Sequence, residues 1–192
     1  MSTSRPGWRA YVDESMPCTR PGETPSYIIA AALLDSGDCA DARWAMEALG
    51  GKRKRFHWKD ATSKEREAAI STVSALPTLH LLVISSPLDR RRQERARAIT
   101  LQRMLFELGV RGVTRVCLES RTERLNQRDM RSVDAAMING SIDAGMQVQH
   151  ELPRDDPLLW IPDIVAGAVG SAEGPLYEDL TGLTETVHLE LP

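Results

Sequence analysis

Three acidic residues, Asp13, Glu119 and Asp163, have the side-chain chemistry and the placement to hold a divalent cation jointly. Asp13 lies near the end of the alternating segment Trp8–Glu14, where Ala10 and Val12 take one side and Tyr11 and Asp13 the other. A period of two sends Asp13 and Glu14 to opposite faces, so one of them at most is a direct ligand. Asp13 is favoured, with Glu14 as an indirect or alternative ligand. Glu119 closes a second strand-like run, Val113–Glu119. Asp163 sits inside the apolar stretch Leu158–Val169, where a carboxylate is costly unless paired, hydrogen-bonded or bound to a cation. If that stretch is helical, spacings of four and three put Gly167 and Gly170 on the face of Asp163. The helix could then press close to a sheet and carry the acid toward strand ends. Pro162 marks either the first helical turn or a kink in a helix begun at Pro157. Such oxygen ligands suit Mg²⁺ or Mn²⁺, which takes few protein ligands and keeps water and substrate phosphate. Singly, each acid also has a structural reading: Asp163 as a satisfied residue at a helix start, Asp13 as a cap on the turn at Ser15 and Met16.

Basic residues cluster twice, as Lys52, Arg53, Lys54 and Arg55 and as Arg90, Arg91, Arg92, Arg95 and Arg97. Meeting on one face, the two clusters would suit a phosphate backbone; apart, they are solvated surface. Positive charge in the first half of the helix expected over Leu88–Leu108 opposes the helix dipole, which hints at another use for it. His57 could shuttle a proton or meet a phosphate, and Lys59 could hold one; the alternative packs His57 and Trp58 at a sheet edge. Arg121, two residues beyond Glu119, could pair with an acid or with phosphate. His150 is isolated and reads as structural. Ser15 and Ser120 lack a nucleophile setting, and the chain has no Gly-rich phosphate loop.

The elements that must position these residues alternate in type. Tyr27–Leu34 is an apolar run of strand length, expected to be buried on both faces and paired antiparallel with the first strand. A helix is expected over 38–49, closed by Gly50-Gly51, and Phe56-His57-Trp58 reads as a brief strand. Thr62-Ser63-Lys64-Glu65 is a capping box opening a helix that stops at Pro77. Leu79–Ser86 is another strand, and Leu88–Leu108 the longest helix. A helix capped by Asn126 and a short strand over 145–150 follow. This pattern predicts an α/β fold, a mixed sheet opening as an antiparallel meander and continuing as strand–helix units flanked by helices. One domain over 8–177 is expected, with tails at 1–7 and 178–192 and an extended piece at 186–191. At 192 residues, 42% hydrophobic, 27% charged and −3 in net charge, the composition is that of an ordinary globular protein. No apolar run is long enough to cross a membrane and no secretory leader is legible, which predicts a cytoplasmic protein. Cys18, Cys39 and Cys117 have no metal-type or disulfide-framework spacing.

Four segments together resemble the bacterial "domain of unknown function 3800" family. They are Tyr11-Val12-Asp13-Glu14-Ser15, Phe56-His57-Trp58-Lys59-Asp60, Leu118-Glu119-Ser120-Arg121 and the closing stretch Leu159–Ala168 around Asp163. The resemblance spans about residues 8–177 and implies a ribonuclease H-like fold with Asp13, Glu119 and Asp163 as metal ligands. It also implies a bacterial source and an association with mobile elements or defence. Met16 stands where the family usually has Gly, which alters the turn beside Asp13. The strand Leu79–Ser86 carries no acid where an enzyme of that fold commonly has one; Glu119 replaces it or the site is degenerate. The expected function is a Mg²⁺- or Mn²⁺-dependent phosphodiesterase acting on nucleic acid, its backbone tracked by the basic clusters. The alternative is a non-catalytic interaction protein that keeps the fold and satisfies the acids structurally.

Overall fold

The computed structural model describes residues 7–17, 22, 24–51, 53–170, 180 and 182–192. The alternating N-terminal segment forms β1 (Trp8–Ser15), which pairs antiparallel with β2 (Tyr27–Asp35), Asp13 opposite Ala30. All of β2 but Asp35 is buried, because helices cover the sheet on both sides. After α1 (Cys39–Gly50) and α2 (Ser63–Ser74), β3 (Leu79–Ser86) adds antiparallel to β2 and completes the meander. Then α3 (Gln93–Val110), β4 (Arg115–Glu119), α4 (Glu123–Ile138), β5 (Gln147–Glu151), α5 (Trp160–Gly170) and β6 (Thr184–Glu190) follow. The strand order is β5-β4-β1-β2-β3-β6, with β4 parallel to β1, β5 parallel to β4 and β6 parallel to β3. The fold is therefore a six-stranded mixed α/β sheet flanked by helices.

Strand alternation divides the core in two. Tyr11, Ile28, Ala30 and Cys117 face α1, α2 and α5, whereas Ala10, Val12, Ile29 and Leu118 face α3 and α4. The capping box forms as read: Glu65 N–H donates to Thr62 Oγ1 at 3.4 Å, and Thr62 N–H to Glu65 Oε2 at 2.7 Å. Gly50 is required by packing, since a Cβ there would lie 2.6 Å from the Trp160 ring.

Several local expectations change. Phe56-His57-Trp58 is not a strand; it leads into a 3₁₀ turn, Trp58–Asp60, lodged beneath α5. The helix expected from Leu88 begins at Gln93, after a separate 3₁₀ turn at Arg90–Arg92 capped by Asp89. α4 begins at Glu123, so Asn126 is inside it; its side chain accepts from Arg121 N–H and donates to Ser120 Oγ. The segment 178–192 is not merely a tail, because β6 within it pairs with β3 over its whole length. Among the described residues no helix is long and apolar enough to cross a membrane.

Candidate metal centre

Asp13 leaves the C-terminal end of β1 on the α5 side of the sheet, one residue past the registered pair Val12–Leu118. Glu119 follows Leu118 in the same way, so the two acids stand side by side on one face. Asp163 reaches them from the first turn of α5, which packs on β1 and β2. Pro162 lies in that first turn, the first of the two alternatives, and the segment from Pro157 is a separate 3₁₀ turn, Pro157–Leu159, that precedes the helix. Gly167 serves a different neighbour from the one expected. A Cβ on Gly167 would stand 2.2 Å from the Trp58 ring, so this glycine seats the 3₁₀ turn rather than the sheet. Gly170 likewise lies against Pro17, 3.1 Å from where its Cβ would be.

Seating Trp58 beneath α5 brings its backbone N–H to Asp163 Oδ2 at 2.9 Å, and His57 Nδ1 to the same oxygen at 3.0 Å. Both bonds fall on Oδ2, leaving Oδ1 without a hydrogen-bond partner among the described residues. Arg55 donates to Glu119 Oε1 at 2.9 Å. Glu119 Oε2 is buried and has no hydrogen-bond partner among the described residues. Burial pushes the Asp13 carboxyl well above the usual range, and the nearby Glu119, Glu14 and Asp163 charges add to the shift. Glu119 is raised mainly by burial, against the opposing pull of Arg55, and Asp163 pushes it further up. The hydrogen bond to Asp163 raises His57, and burial partly offsets this. Three acids thus share one negative potential, countered among the described residues by the Arg55 guanidinium and the His57 imidazole.

The donor chemistry fits a hard divalent cation, because Glu119 Oε2 is buried without a hydrogen-bond partner among the described residues and Asp163 Oδ1 is free of one beside it. Among the described residues no three His, Cys, Asp or Glu side chains already stand in a coordination cage. Arg55 and His57 hold two of the acids instead, and a cation would have to displace or join them.

The other expected site residues are placed as follows. Glu14 faces away from the acids and meets Arg97 at 2.7 Å, so it is not a ligand to a cation held by Asp13. Arg121 donates to Glu94 and Asp129, each at 2.9 Å, and is not free for phosphate. Arg53 pairs with Glu65, Lys54 and Lys59 are exposed, and Lys52 lies outside the described residues. The two basic clusters do not converge, since Arg97 is buried on the α3–α4 side while Arg55 is at the acids. His150 supports Asp129 at 3.3 Å, the structural role expected of it.

Sequence reasoning missed one neighbour of the site, Glu151. It ends β5 in register with Glu119, so β1, β4 and β5 all carry an acid at the same level. The recurring signal, a strand closing on an acid, is legible there too, since the strand expected over 145–150 ends one residue before Glu151.

With the geometry in place, the chain can be set beside known proteins. No protein-family model matches it, and no curated protein matches it either. A chain in the structure of the PCNA:RNase HII complex from Archaeoglobus fulgidus is similar in fold. Its TM-score is 0.54 at 15% identity, covering 86% of this chain and 73% of that one. At that identity the likeness is one of fold.

Proposed function

We propose that the protein is a divalent-metal-dependent phosphodiesterase of ribonuclease H-like fold that acts on nucleic acid. The observation that carries this reading is the buried Glu119 Oε2, without a hydrogen-bond partner among the described residues, beside Asp13, whose carboxyl is held well above its usual range by burial and then by its acidic neighbours. A protein that keeps such a cluster sacrifices stability at neutral pH, a pattern typical of functional sites. The fold likeness to a chain of an RNase HII complex and the resemblance to the domain of unknown function 3800 family support the same reading. Asp13, Glu119 and Asp163 would hold Mg²⁺ or Mn²⁺. Bound there, the cation would supply an activated water and charge stabilisation at the leaving oxygen. Arg55, 41% exposed, is placed to exchange Glu119 for a substrate phosphate. With Nδ1 engaged by Asp163, His57 has Nε2 left to take or give a proton.

One observation favours a second reading. Arg55 and His57 already engage Glu119 and Asp163, as they would in a protein that uses the fold only for interaction. Metal titration separates the two. At a hundredfold excess over its dissociation constant, Mn²⁺ should stabilise the fold by about 2.7 kcal/mol. Asp163→Asn should abolish that shift, and Asp13→Asn should abolish Mn²⁺-dependent cleavage of nucleic acid. No calorimetric heat and no thermal shift in the wild-type protein would leave the interaction reading standing.

A further inference from the structure

Away from the acids, the same sheet face continues as an open groove of about 520 Å³ over β1, β4 and β5. Arg43 of α1 and its partner Asp156 stand over the buried Tyr11, and the floor of the groove repeats in registered rows across the three strands. Tyr11, Cys117 and Gln149 form the middle row, and Arg9, Arg115 and Gln147 the row beyond. Arg9 and Arg115 are registered partners on one face. Like charges directly opposite on neighbouring strands are destabilising. Neither arginine forms an ion pair with a carboxylate among the described residues. The third arginine of the groove behaves differently: Arg43 is neutralised by Asp156, with bonds of 3.1 and 2.9 Å, and donates to the Tyr11 hydroxyl at 3.0 Å. Burial, reinforced by Asp156, pushes that hydroxyl up to about 12, so it stays a neutral hydrogen-bonding group at the groove wall.

We infer that the Arg9–Arg115–Gln147 row binds phosphate of a single nucleic-acid strand whose scissile bond lies at the acids. Arg9 is four steps along β1 from Asp13, roughly 13 Å at the rise of a strand. The row is thus a few nucleotides from Asp13 on the same face, with the Arg43–Asp156 pair at Tyr11 between them. A guanidinium pair with no carboxylate partner suits a phosphodiester, and the amides of Gln147 and Gln149 offer hydrogen bonds to sugar or base without a charge preference. At about 520 Å³, with Asp155 and Asp156 on its wall, the groove has room for part of one strand rather than for a duplex.

This assignment rests on the proposed function only for the position of the scissile bond; the phosphate row itself can be tested without catalysis. The probe is a fluorescently labelled eight-nucleotide strand, as DNA and as RNA, titrated by anisotropy in EDTA at several salt concentrations. Replacing both arginines (Arg9→Gln with Arg115→Gln) should weaken binding at least tenfold. It should also reduce the salt slope by about 1.4, at ~0.7 per phosphate contact for single strands. The same loss of charge on the opposite side of the sheet, Arg124→Gln with Arg128→Gln on α4, should change neither. Melting temperature should hold or rise in the Arg9/Arg115 variant, because a like-charge pair has been removed. Unchanged affinity and salt slope, or a lowered melting temperature, would overturn the assignment. Cleavage that needs Asp13 while strand binding ignores Arg9 and Arg115 would sink the groove and keep the proposed function. Strand binding that needs both arginines in a protein with no metal-dependent cleavage would do the reverse.

Discussion

Asp13 and Glu14 are consecutive residues of β1, yet they enter two charge clusters of opposite character on the two faces of the sheet. Glu14 joins a buried network in which every acid has a cation. Arg97 clasps Asp129 through Nε and Nη2, at 3.0 and 2.8 Å, and meets Glu14 at 2.7 Å. Arg121 bridges Asp129 and Glu94. Burial would raise the Asp129 carboxyl, but His150, Arg97 and Arg121 together hold it well below its usual range. Asp13 joins Glu119 and Asp163, which raise its carboxyl further above a burial already against ionisation. Both clusters lie near the same strand ends and both contain three carboxylates. What separates them is compensation, and compensation separates an element of architecture from a site with binding capacity to spare.

The largest effect that should follow from this contrast is on the compensated side. Asp129→Ala takes from Arg97, whose side chain is 4% exposed, its two-point partner and leaves it Glu14, and it leaves Arg121 only Glu94 at hydrogen-bond distance. Breaking a buried pair from one side costs about 3–5 kcal/mol. Thermal unfolding of the variant should fall by roughly 10 °C for a chain of this size. A loss of only a degree or two would mean that the network is more hydrated than its geometry shows, and the contrast would lose its structural pole.

Asp13→Asn should act in the opposite direction. The folded-state pKa of Asp13 is raised, so the folded protein holds that proton more tightly than the unfolded chain does. The proton-linked stability is present at pH below the ordinary carboxylate value and is lost as pH rises through the raised one. At pH 7 the Asn variant escapes this loss and should be more stable than wild type by about 1 kcal/mol. The advantage should shrink on acidification and be gone where wild-type Asp13 is itself protonated. Paired melting curves across the acid range would show it. A variant less stable at pH 7 would place Asp13 with Asp129 as a structural acid.

These two clusters were unequally legible in the sequence. The separation of Asp13 from Glu14 follows from strand period alone, and the cost of an acid in the apolar stretch 158–169 marked Asp163 before any coordinates. Neighbours in sequence, or at a fixed helical or strand period, leave such signals. Arg97 and Asp129 are 32 residues apart on different helices, and no periodicity announces their pairing. The charged start of α3 looked like a phosphate surface because composition does not reveal which arginine turns inward. Arg55 illustrates the same limit: its membership of a basic run was plain, but its bond to Glu119 depends on how the loop before Trp58 folds under α5. The Gly167–Trp58 contact that seats that loop joins residues more than a hundred positions apart.

The smallest effect, and the one that discriminates most finely, concerns Arg55. Its side chain is 41% exposed, so its ion pair with Glu119 contributes at most about 1 kcal/mol to stability after solvent screening. Arg55→Gln should therefore barely move the melting temperature. Its consequences at the site should be larger and of two signs. Releasing Glu119 removes a competing cation, so Mn²⁺ should bind about two- to fivefold tighter, the range equivalent to a surface pair. Removing the guanidinium also removes a partner for substrate phosphate, so kcat/KM on nucleic acid should fall even as the metal binds better. Arg53→Gln, which releases Glu65 on α2 rather than an acid of the cluster, should leave both quantities unchanged. If Arg55→Gln weakened Mn²⁺ binding, Arg55 would be holding Glu119 in place for the cation rather than standing in for it. The acid cluster would then depend on its basic neighbour for shape, as Asp129 depends on Arg97, and the two faces of the sheet would differ less than their charges show.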